Sequence, residues 1–385
     1  MTEFQVIPKN LLSDFLTLVS IDSPSKNERG VADWLTEEFK SLGCDVEEDD
    51  SGKKVGGNTG NLFVKLPGNQ PEKKSLMFSA HMDTVLPAEG VEPVVEDGII
   101  RSKGETVLGS DDKAGLAVIL NLVRMARSQP ELPRCDLEFS IHVCEEIGLL
   151  GAKNIDVKKF KAIAGFILDD HDPKSATVGS PSAVRLDYKI SGRAAHAGVE
   201  PEKGISALQV MSEAISKMNI GRIDEETTAN IGVVSGGSAS NVVMEQVSMK
   251  AEARSHDTAK LEKQVAHMEK CFKTACDNWR QVEDSIPHFE VIRTDDYKAV
   301  RFSDADFPVQ LFIAAGKRLG WSVTTKIGGG GTDGSILTHK GIPSIVIGVG
   351  MQDIHSTKEW IRISDLEDAA RLAGSIVSTH SEGLV

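Results

Sequence analysis

The feature that most constrains the fold is an alternation of short apolar runs with longer segments of helical periodicity. The strand-like runs are residues 75–80, 137–143, 163–168 and 344–349, and the main helical segments are 10–20, 27–42, 112–127, 307–319 and 364–379. Alternation of this kind predicts an α/β fold, with a mostly parallel or mixed sheet and helices on both faces.

A second pattern interrupts the alternation between residues 179 and 293. Its predicted strands are 183–191, 230–234, 247–254 and 288–292, and its predicted helices are 205–218 and 258–279. Two strand–helix–strand units of this size predict a small α+β two-layer sandwich. Because 385 residues suffice for two domains, we expect a discontinuous domain of residues 1–178 and 294–385 and an inserted domain of residues 179–293.

Residues that can bind metal ions accompany the strand-like runs. The set comprises His81, Asp111, Glu146, Asp169 and His355. Four of them come at or after the end of a strand-like run, and Asp111 opens a helix. Open α/β sheets place their chemistry at the carboxyl ends of their strands. Two imidazoles and three carboxylates suit two divalent ions that share one carboxylate, so the sequence predicts a two-metal hydrolase.

Two of these residues have acidic neighbours that compete with them. Asp111 stands where the turn into the helix faces the carboxyl edge of the sheet, so it is the better bridge, whereas Asp112 can serve as a helix cap. Asp169 is preferred because it directly continues an apolar strand. Its competitors are Asp170, His171 and Asp172.

Two more carboxylates have predicted catalytic roles. Side chains alternate along an extended segment, so Asp83 lies on the same side as His81 and can accept its second ring N–H. Glu145 and Glu146 end an alternating strand and point in different directions, so one can bind metal while the other holds the attacking water. Taken alone, each motif also fits a structural explanation: a histidine at a strand end, capping acids or a solvated turn.

Taken in order, the motifs resemble the zinc-dependent aminopeptidase, aminoacylase and carboxypeptidase superfamily, and above all its peptidase T branch. They are His81-Met-Asp83, Ser110-Asp-Asp-Lys-Ala-Gly115, Glu145-Glu-Ile-Gly-Leu-Leu-Gly-Ala, a strand that ends in Asp169, and His355 ahead of Glu359. The resemblance covers nearly the whole chain. It implies hydrolysis of short peptides by an aminopeptidase or tripeptidase that binds two zinc ions, with cobalt or manganese as alternatives.

Residue by residue, the resemblance implies one ion on His81, Asp111 and Asp169 and a second on Asp111, Glu146 and His355. It also implies Glu145 as the general base and Asp83 as the carboxylate behind His81. The inserted domain would be a lid that forms a homodimer. Substrate contacts would come from His196, which reaches the partner's site, from Asn241 and Arg254, and from Gly330 in the glycine-rich loop.

Three other functions remain open at this point. An aminoacylase or other amidohydrolase would use the same metals on N-acyl amino acids. A non-catalytic metal-binding dimer would have no use for Glu145. A nucleotide-binding α/β protein would use the loop at residues 328–334, but that loop lacks the Gly-Lys-Ser/Thr ending.

Composition narrows the expected partners and compartment. A formal charge of −14 argues against nucleic acid and anionic membranes as partners. No signal peptide is expected, because the first residues lack a basic segment followed by an apolar stretch. The five cysteines are not in paired metal-binding spacing and fit reduced thiols in the cytoplasm. The remaining histidines with no site-like setting are read as structural or surface residues: His142, His267, His288, His339 and His380.

Overall fold

The structure of the chain, a computed structural model, describes residues 3–385. These residues divide into two units: the first runs to Gly179 and resumes at Arg301–Val385, and the second is Ser180–Val300. The sequence predicted the second boundary after residue 293, and in the structure the second unit runs seven residues further, to Val300. The last strand of the second unit continues to Tyr297, because its polar and mostly exposed end still pairs with a neighbouring strand.

The strands follow one another along the chain as β1 (Asp45–Glu48), β2 (Leu62–Leu66), β3 (Leu76–His81), β4 (Pro93–Glu96), β5 (Ile99–Ser102), β6 (Leu137–His142), β7 (Gly165–Asp170), β8 (Ser175–Thr177), β9 (Gly179–Ser180), β10 (Ser182–Ser191), β11 (Gly221–Arg222), β12 (Thr227–Gly236), β13 (Gln246–Ser255), β14 (His288–Tyr297), β15 (Val300–Arg301), β16 (Thr324–Lys326), β17 (Ser344–Gly348), β18 (Met351–Gln352) and β19 (Trp360–Arg362).

The helices are α1 (Pro8–Val19), α2 (Arg29–Ser41), α3 (Ser51–Val55), α4 (Ser110–Ser128), α5 (Leu150–Asn154), α6 (Ala207–Ile215), α7 (Thr258–Asp277), α8 (Phe307–Arg318), α9 (Asp333–His339) and α10 (Ile363–Ser381), with 3-10 turns at Val157–Lys159 and Pro201–Lys203. None of the helices within residues 3–385 combines the length and apolar character needed to cross a bilayer.

The main sheet of the first unit has the strand order β1-β2-β6-β3-β7-β17-β8-β16. Its four central strands, β6, β3, β7 and β17, are parallel, whereas β1, β2 and β8 pair antiparallel with their inner neighbours. Adjacent residues of β3 enter different cores: Phe78 packs in the large cluster, and Met77 packs with Leu337 of α9 in a smaller one. Both faces of the sheet are therefore covered, which confirms the predicted α/β fold.

The second unit is a five-stranded antiparallel sheet in the order β11-β12-β13-β10-β14. In β10, Leu186, Tyr188 and Ile190 are buried while the residues between them are exposed, as expected of a sheet covered on one face. Helices α6 and α7 supply the other side of this core. The predicted two-layer α+β sandwich is confirmed.

Candidate active site

Three parallel strands deliver predicted ligands to one edge of the main sheet. His81 is the last residue of β3, and Asp169 is the penultimate residue of β7, directly before Asp170. β6 ends at His142, which is paired with His81, and Glu146 follows four residues later. Because these strands are parallel, their carboxyl ends lie at the same edge.

Asp111 lies between the two histidines of this cluster. Its Oδ1 is 3.0 Å from Nε2 of His81, and its Oδ2 is 3.1 Å from Nε2 of His355. Nε2 of His355 is also 3.0 Å from both carboxylate oxygens of Glu146. Asp111 is nearly buried, whereas half of the His355 side chain is exposed. One carboxylate therefore reaches two imidazoles, which is the arrangement that a bridging ligand needs.

The turn that carries Asp111 is fixed by Glu359, a residue that sequence reasoning treated only as part of a motif. The buried Glu359 carboxylate accepts the backbone N–H groups of Gly109 at 2.8 Å and Asp111 at 3.1 Å, and the hydroxyl of Ser110 at 2.5 Å. Three donors on one turn hold Asp111 in place. In the sequence, the only local signal of this role is that Glu359 follows His355 by four residues.

The contact between His81 and Asp83 differs from the prediction. Nδ1 of His81 lies 2.8 Å from the backbone oxygen of Asp83 and 3.5 Å from its carboxylate. The carboxylate is occupied elsewhere, because it accepts the hydroxyl of Ser25 at 2.6 Å and the N–H groups of Glu145 and Glu146 at 2.9 and 3.2 Å. Donation from Nδ1 to a carbonyl leaves Nε2 of His81 free to bind a metal ion.

Glu145 and Glu146 lie on a turn rather than at the end of a strand. β6 stops at His142, and Cys144 adopts a left-handed conformation with φ of 53°. This turn redirects the chain before the two glutamates. Each of the two residues keeps some exposed surface, but the side chain of Glu146 is only 6% exposed, and His81 is buried.

Asp169, Asp112 and His81 form one group of possible metal ligands, whose ligand atoms lie within 4.8 Å of one another. The pairing of β7 with β17 shifts register from Leu168 to Asp170, so Asp169 has no partner in that ladder. Asp112 also accepts the N–H of Gly115 at 3.1 Å, as a capping residue does.

The competitors of Asp169 make other contacts. Asp170 accepts Lys326 Nζ at 2.8 Å and the Thr177 hydroxyl at 2.6 Å. Nδ1 of His171 lies 2.8 Å from the backbone oxygen of Met351, and Asp172 accepts the N–H of Lys174. Because the pairing of β7 with β17 is irregular at Asp169, Asp169 and its neighbour Asp170 have different surroundings.

The carboxylates of the cluster carry more negative charge than the histidines balance. Burial raises the pKa of Glu145 well above its ordinary value, and the charges of Asp333 and Glu146 raise it further. Burial also raises the pKa of Asp169, and the charge of Asp111 adds to this effect. Carboxyl groups that resist ionisation together are stabilised in their charged forms by a nearby cation.

The pKa of Asp111 is shifted in the opposite direction. Burial alone would raise the pKa of Asp111, but hydrogen bonds with His355 and His81 hold it below its ordinary value. Hydrogen bonds to Asp111 and Glu146 raise the pKa of His355 to about 10. Asp111 is therefore held as an anion, the form in which a carboxylate bridges metal ions.

Imidazole nitrogens and carboxylate oxygens are suitable donors for divalent ions such as zinc. A second set of ligand atoms within 4.8 Å of one another belongs to His81, Asp111 and Glu146. This donor set fits the metal ions that the sequence predicted. The geometry brings all five predicted ligands, together with Asp112, to one cluster.

A buried Ser–His–Asp chain lies near this cluster and was missed by sequence reasoning, which read His142 as an ordinary histidine. Nε2 of His142 is 2.6 Å from Oγ of Ser140, and Nδ1 is 2.6 Å from Oδ2 of Asp333. Ser140 has no exposed surface, so it cannot meet a substrate as a nucleophile. These hydrogen bonds connect the start of α9 to β6. Asp333 follows His142 by 191 positions, so no local sequence pattern links the two residues.

Three of the predicted substrate-binding residues lie in the second unit. The backbone N–H of Ala197 donates to the carbonyl of Asn241 at 2.9 Å, and His196 is bridged to Val242, so the segments of His196 and Asn241 are paired. Both side chains are exposed. The half-buried Arg254 contacts Glu252 at 2.9 Å.

Gly330, the fourth predicted substrate contact, belongs to the first unit and is half-buried. Its loop leads into α9, where the hydroxyl of Thr332 accepts the N–H of Gly334 at 3.2 Å. The loop thus ends in a capped short helix, and Gly330 stays a prediction as a substrate contact.

Comparison with known proteins identifies the family. Residues 77–379 match Peptidase family M20/M25/M40. The protein YqjE of Bacillus subtilis is 40% identical over 371 residues, which cover 96% of this chain and 98% of YqjE. A crystal structure of a tripeptidase from Staphylococcus aureus has a TM-score of 0.91 and 38% identity, covering 98% of this chain and 99% of that one. The crystal structure of aminopeptidase PepT from Bacillus cereus has a TM-score of 0.87 and 38% identity, covering 97% and 99%. The expected peptidase T-like resemblance is confirmed, and the chain is a metallopeptidase that belongs to peptidase family M20/M25/M40.

Proposed function

We propose that the protein is a two-metal aminopeptidase that hydrolyses short peptides, including tripeptides. The observation that carries this proposal is the position of Asp111, whose two oxygens each contact a different imidazole. The similar structures described as a tripeptidase and as aminopeptidase PepT support the substrate class.

In this proposal, one ion is held by His81, Asp111 and Asp169, and the other by Asp111, Glu146 and His355. Mixed nitrogen and oxygen ligands favour zinc, with cobalt or manganese as alternatives. When bound, divalent ions at such a site polarise the scissile carbonyl and lower the pKa of the attacking water.

Glu145 would act as the general base. It lies beside the ligand Glu146 on the turn that follows β6, and its backbone N–H is held by Asp83. Its raised pKa, caused first by burial, makes its carboxylate a better proton acceptor than an exposed one. Glu145 would take a proton from the attacking water and pass it to the leaving amine.

The second unit would supply substrate contacts and the dimer interface. His196 and Asn241 are exposed on paired segments, so both side chains are available to a ligand. We propose that His196 stabilises the oxyanion in the partner's site, that Asn241 and Arg254 bind the substrate, and that Gly330 offers its backbone N–H. The five unpaired, buried cysteines support a reducing compartment such as the cytoplasm.

A paired set of substrates tests the proposal and separates it from the aminoacylase alternative. Zinc- or cobalt-loaded protein is assayed on trialanine, dialanine, N-acetyl-trialanine and N-acetyl-alanine. An aminopeptidase cleaves the peptides with a free amino terminus and leaves the acetylated ones intact. Faster cleavage of N-acetyl-alanine than of any free peptide would contradict the proposal and indicate an aminoacylase.

A further inference from the structure

The short segment that carries the proposed base is held at four consecutive backbone N–H groups, and every acceptor is a side chain from a distant part of the sequence. The donor and acceptor pairs are Val143 with Asn61 at 3.1 Å, Cys144 with Glu28 at 3.1 Å, Glu145 with Asp83 Oδ1 at 2.9 Å and Glu146 with Asp83 Oδ2 at 3.2 Å. A segment held in this way has little freedom to shift without breaking several hydrogen bonds.

Glu28 is the least expected of these acceptors. Its side chain is fully buried, and its Oε1 accepts the N–H of Cys144 at 3.1 Å, the thiol of Cys144 at 3.3 Å and the N–H of Lys26 at 2.9 Å. Its other oxygen, Oε2, is buried and has no hydrogen-bond partner among residues 3–385. The contacts of Glu28 therefore concentrate on Cys144 and on its own loop.

Cys144 is the point at which the segment turns. Its φ of 53° lies in the left-handed region, which is unfavourable for a residue with a side chain. Two contacts from Glu28, one to the N–H and one to the thiol, hold this conformation. The next two N–H groups, of Glu145 and Glu146, then both reach Asp83.

The stability of the fold alone gives little reason for a carboxylate at position 28. Burying a carboxylate has a free-energy cost, and an apolar side chain of similar size is often tolerated better. The compensating contacts of Glu28 reach the residue directly before the proposed base.

We propose that Glu28 is a positioning residue for the hydrolytic reaction, which fixes the backbone of Cys144 and thereby sets the position of Glu145. This inference rests on the proposed role of Glu145 as general base. A small displacement of a reacting group can cost about a hundredfold in rate, so the contact should affect turnover more than substrate binding.

Two substitutions at Glu28 test the proposal. Glu28→Met keeps the length of the side chain but offers no strong acceptor, and Glu28→Gln keeps one oxygen for the N–H of Cys144. We expect Glu28→Met to lower kcat by about ten- to a hundredfold at saturating metal, with KM changed less than threefold. Glu28→Gln should recover most of the lost turnover. If Glu28→Met does not fold, Glu28→Asp replaces it, because the shorter side chain keeps the charge but loses reach.

Glu138 provides the matched control at the other end of the same strand. It is also buried, and its Oε2 accepts the N–H groups of Lys161 at 2.8 Å and Ala162 at 2.9 Å. Glu138→Met thus removes two comparable contacts from a loop that carries no proposed catalytic residue. We expect it to change the thermal midpoint but to leave kcat within twofold of the wild-type value.

The outcomes separate this inference from the proposed function. Normal kcat in folded Glu28→Met or Glu28→Asp protein would overturn the positioning role, and so would an equal loss of kcat in Glu138→Met. If Glu145→Gln itself keeps normal turnover, the proposed base is wrong, and the positioning role falls with it. Loss of activity in Glu145→Gln with normal activity in Glu28→Met would overturn only the inference.

Discussion

The two units of the chain place their predicted functional residues in opposite surroundings. In the first unit, His81 and Asp111 are nearly buried, and the turn of Asp111 is held by Glu359. In the second unit, the side chains of His196 and Asn241 are exposed. Metal ligands and the base must be held rigidly before the substrate arrives, whereas exposed groups that contact the substrate can order when it binds. We therefore expect the first unit to determine turnover and the second to modulate it.

The largest effect should come from Asp111→Ala, because this change removes the carboxylate that contacts both histidines. We expect weak binding of both ions and a loss of turnover of roughly a thousandfold or more, which corresponds to the several kcal/mol that metal ions supply. Elemental analysis and steady-state kinetics measure the two effects. Asp170→Ala is the control, since Asp170 binds Lys326 and Thr177 instead. Two tightly bound ions and full activity in Asp111→Ala would exclude the bridging role.

Glu145→Gln should leave the metal content at two ions per chain while it removes the proposed base. We expect turnover to fall by roughly a hundred- to ten-thousandfold, the range found for general-base loss. Metal analysis of the same preparation tests the division of roles. If this variant loses one ion, Glu145 is a ligand, and the roles of Glu145 and Glu146 are reversed.

The sequence predicted the main elements and the ligand cluster because both depend on local patterns. Strand ends can be read from where an apolar run stops, and parallel strands bring their ends together whatever the intervening sequence. This logic placed His81 and Asp169 at one edge. It did not show that the ladder bulges at Asp169, since register depends on the neighbouring strand.

The residues that hold the cluster could not be predicted in the same way. Glu28 reaches Cys144 across 116 positions, and Glu359 reaches Asp111 across 248. Neither contact leaves a periodic signal, because a single buried acceptor can come from any loop that the fold brings near. The predicted strand 288–292 was too short for a related reason: the end of β14 is too polar to look like a strand, yet it pairs with β10.

A mixing experiment tests whether the second unit acts across a dimer. His196→Ala alone should lower turnover by about a hundredfold, as expected for the loss of one oxyanion donor. Mixed with Glu145→Gln chains, it should regain activity, because a mixed dimer has one site with both groups intact. If subunits exchange and the mixture stays inactive, His196 acts within its own chain or has no catalytic role. Near-normal turnover of His196→Ala alone would mean that His196 only packs its domain.

The smallest expected effect concerns acid sensitivity, which should also differ between the units. His380 is buried in α10 of the first unit, where its Nε2 lies 2.8 Å from the backbone oxygen of Lys74, and burial lowers its pKa below the ordinary value of 6.5. Below pH 6.5 the unfolded chain therefore binds a proton at this position more readily than the folded chain does. The contribution of His380 to stability is thus present above that pH and is lost as the pH falls through the folded-state value. His380→Gln keeps an N–H donor but does not titrate, so wild type should lose more stability than this variant between pH 7.5 and 5.5. Hydrogen exchange should locate the difference in α10 and show no difference in β10 of the second unit. Equal acid sensitivity of wild type and His380→Gln would contradict this role of His380.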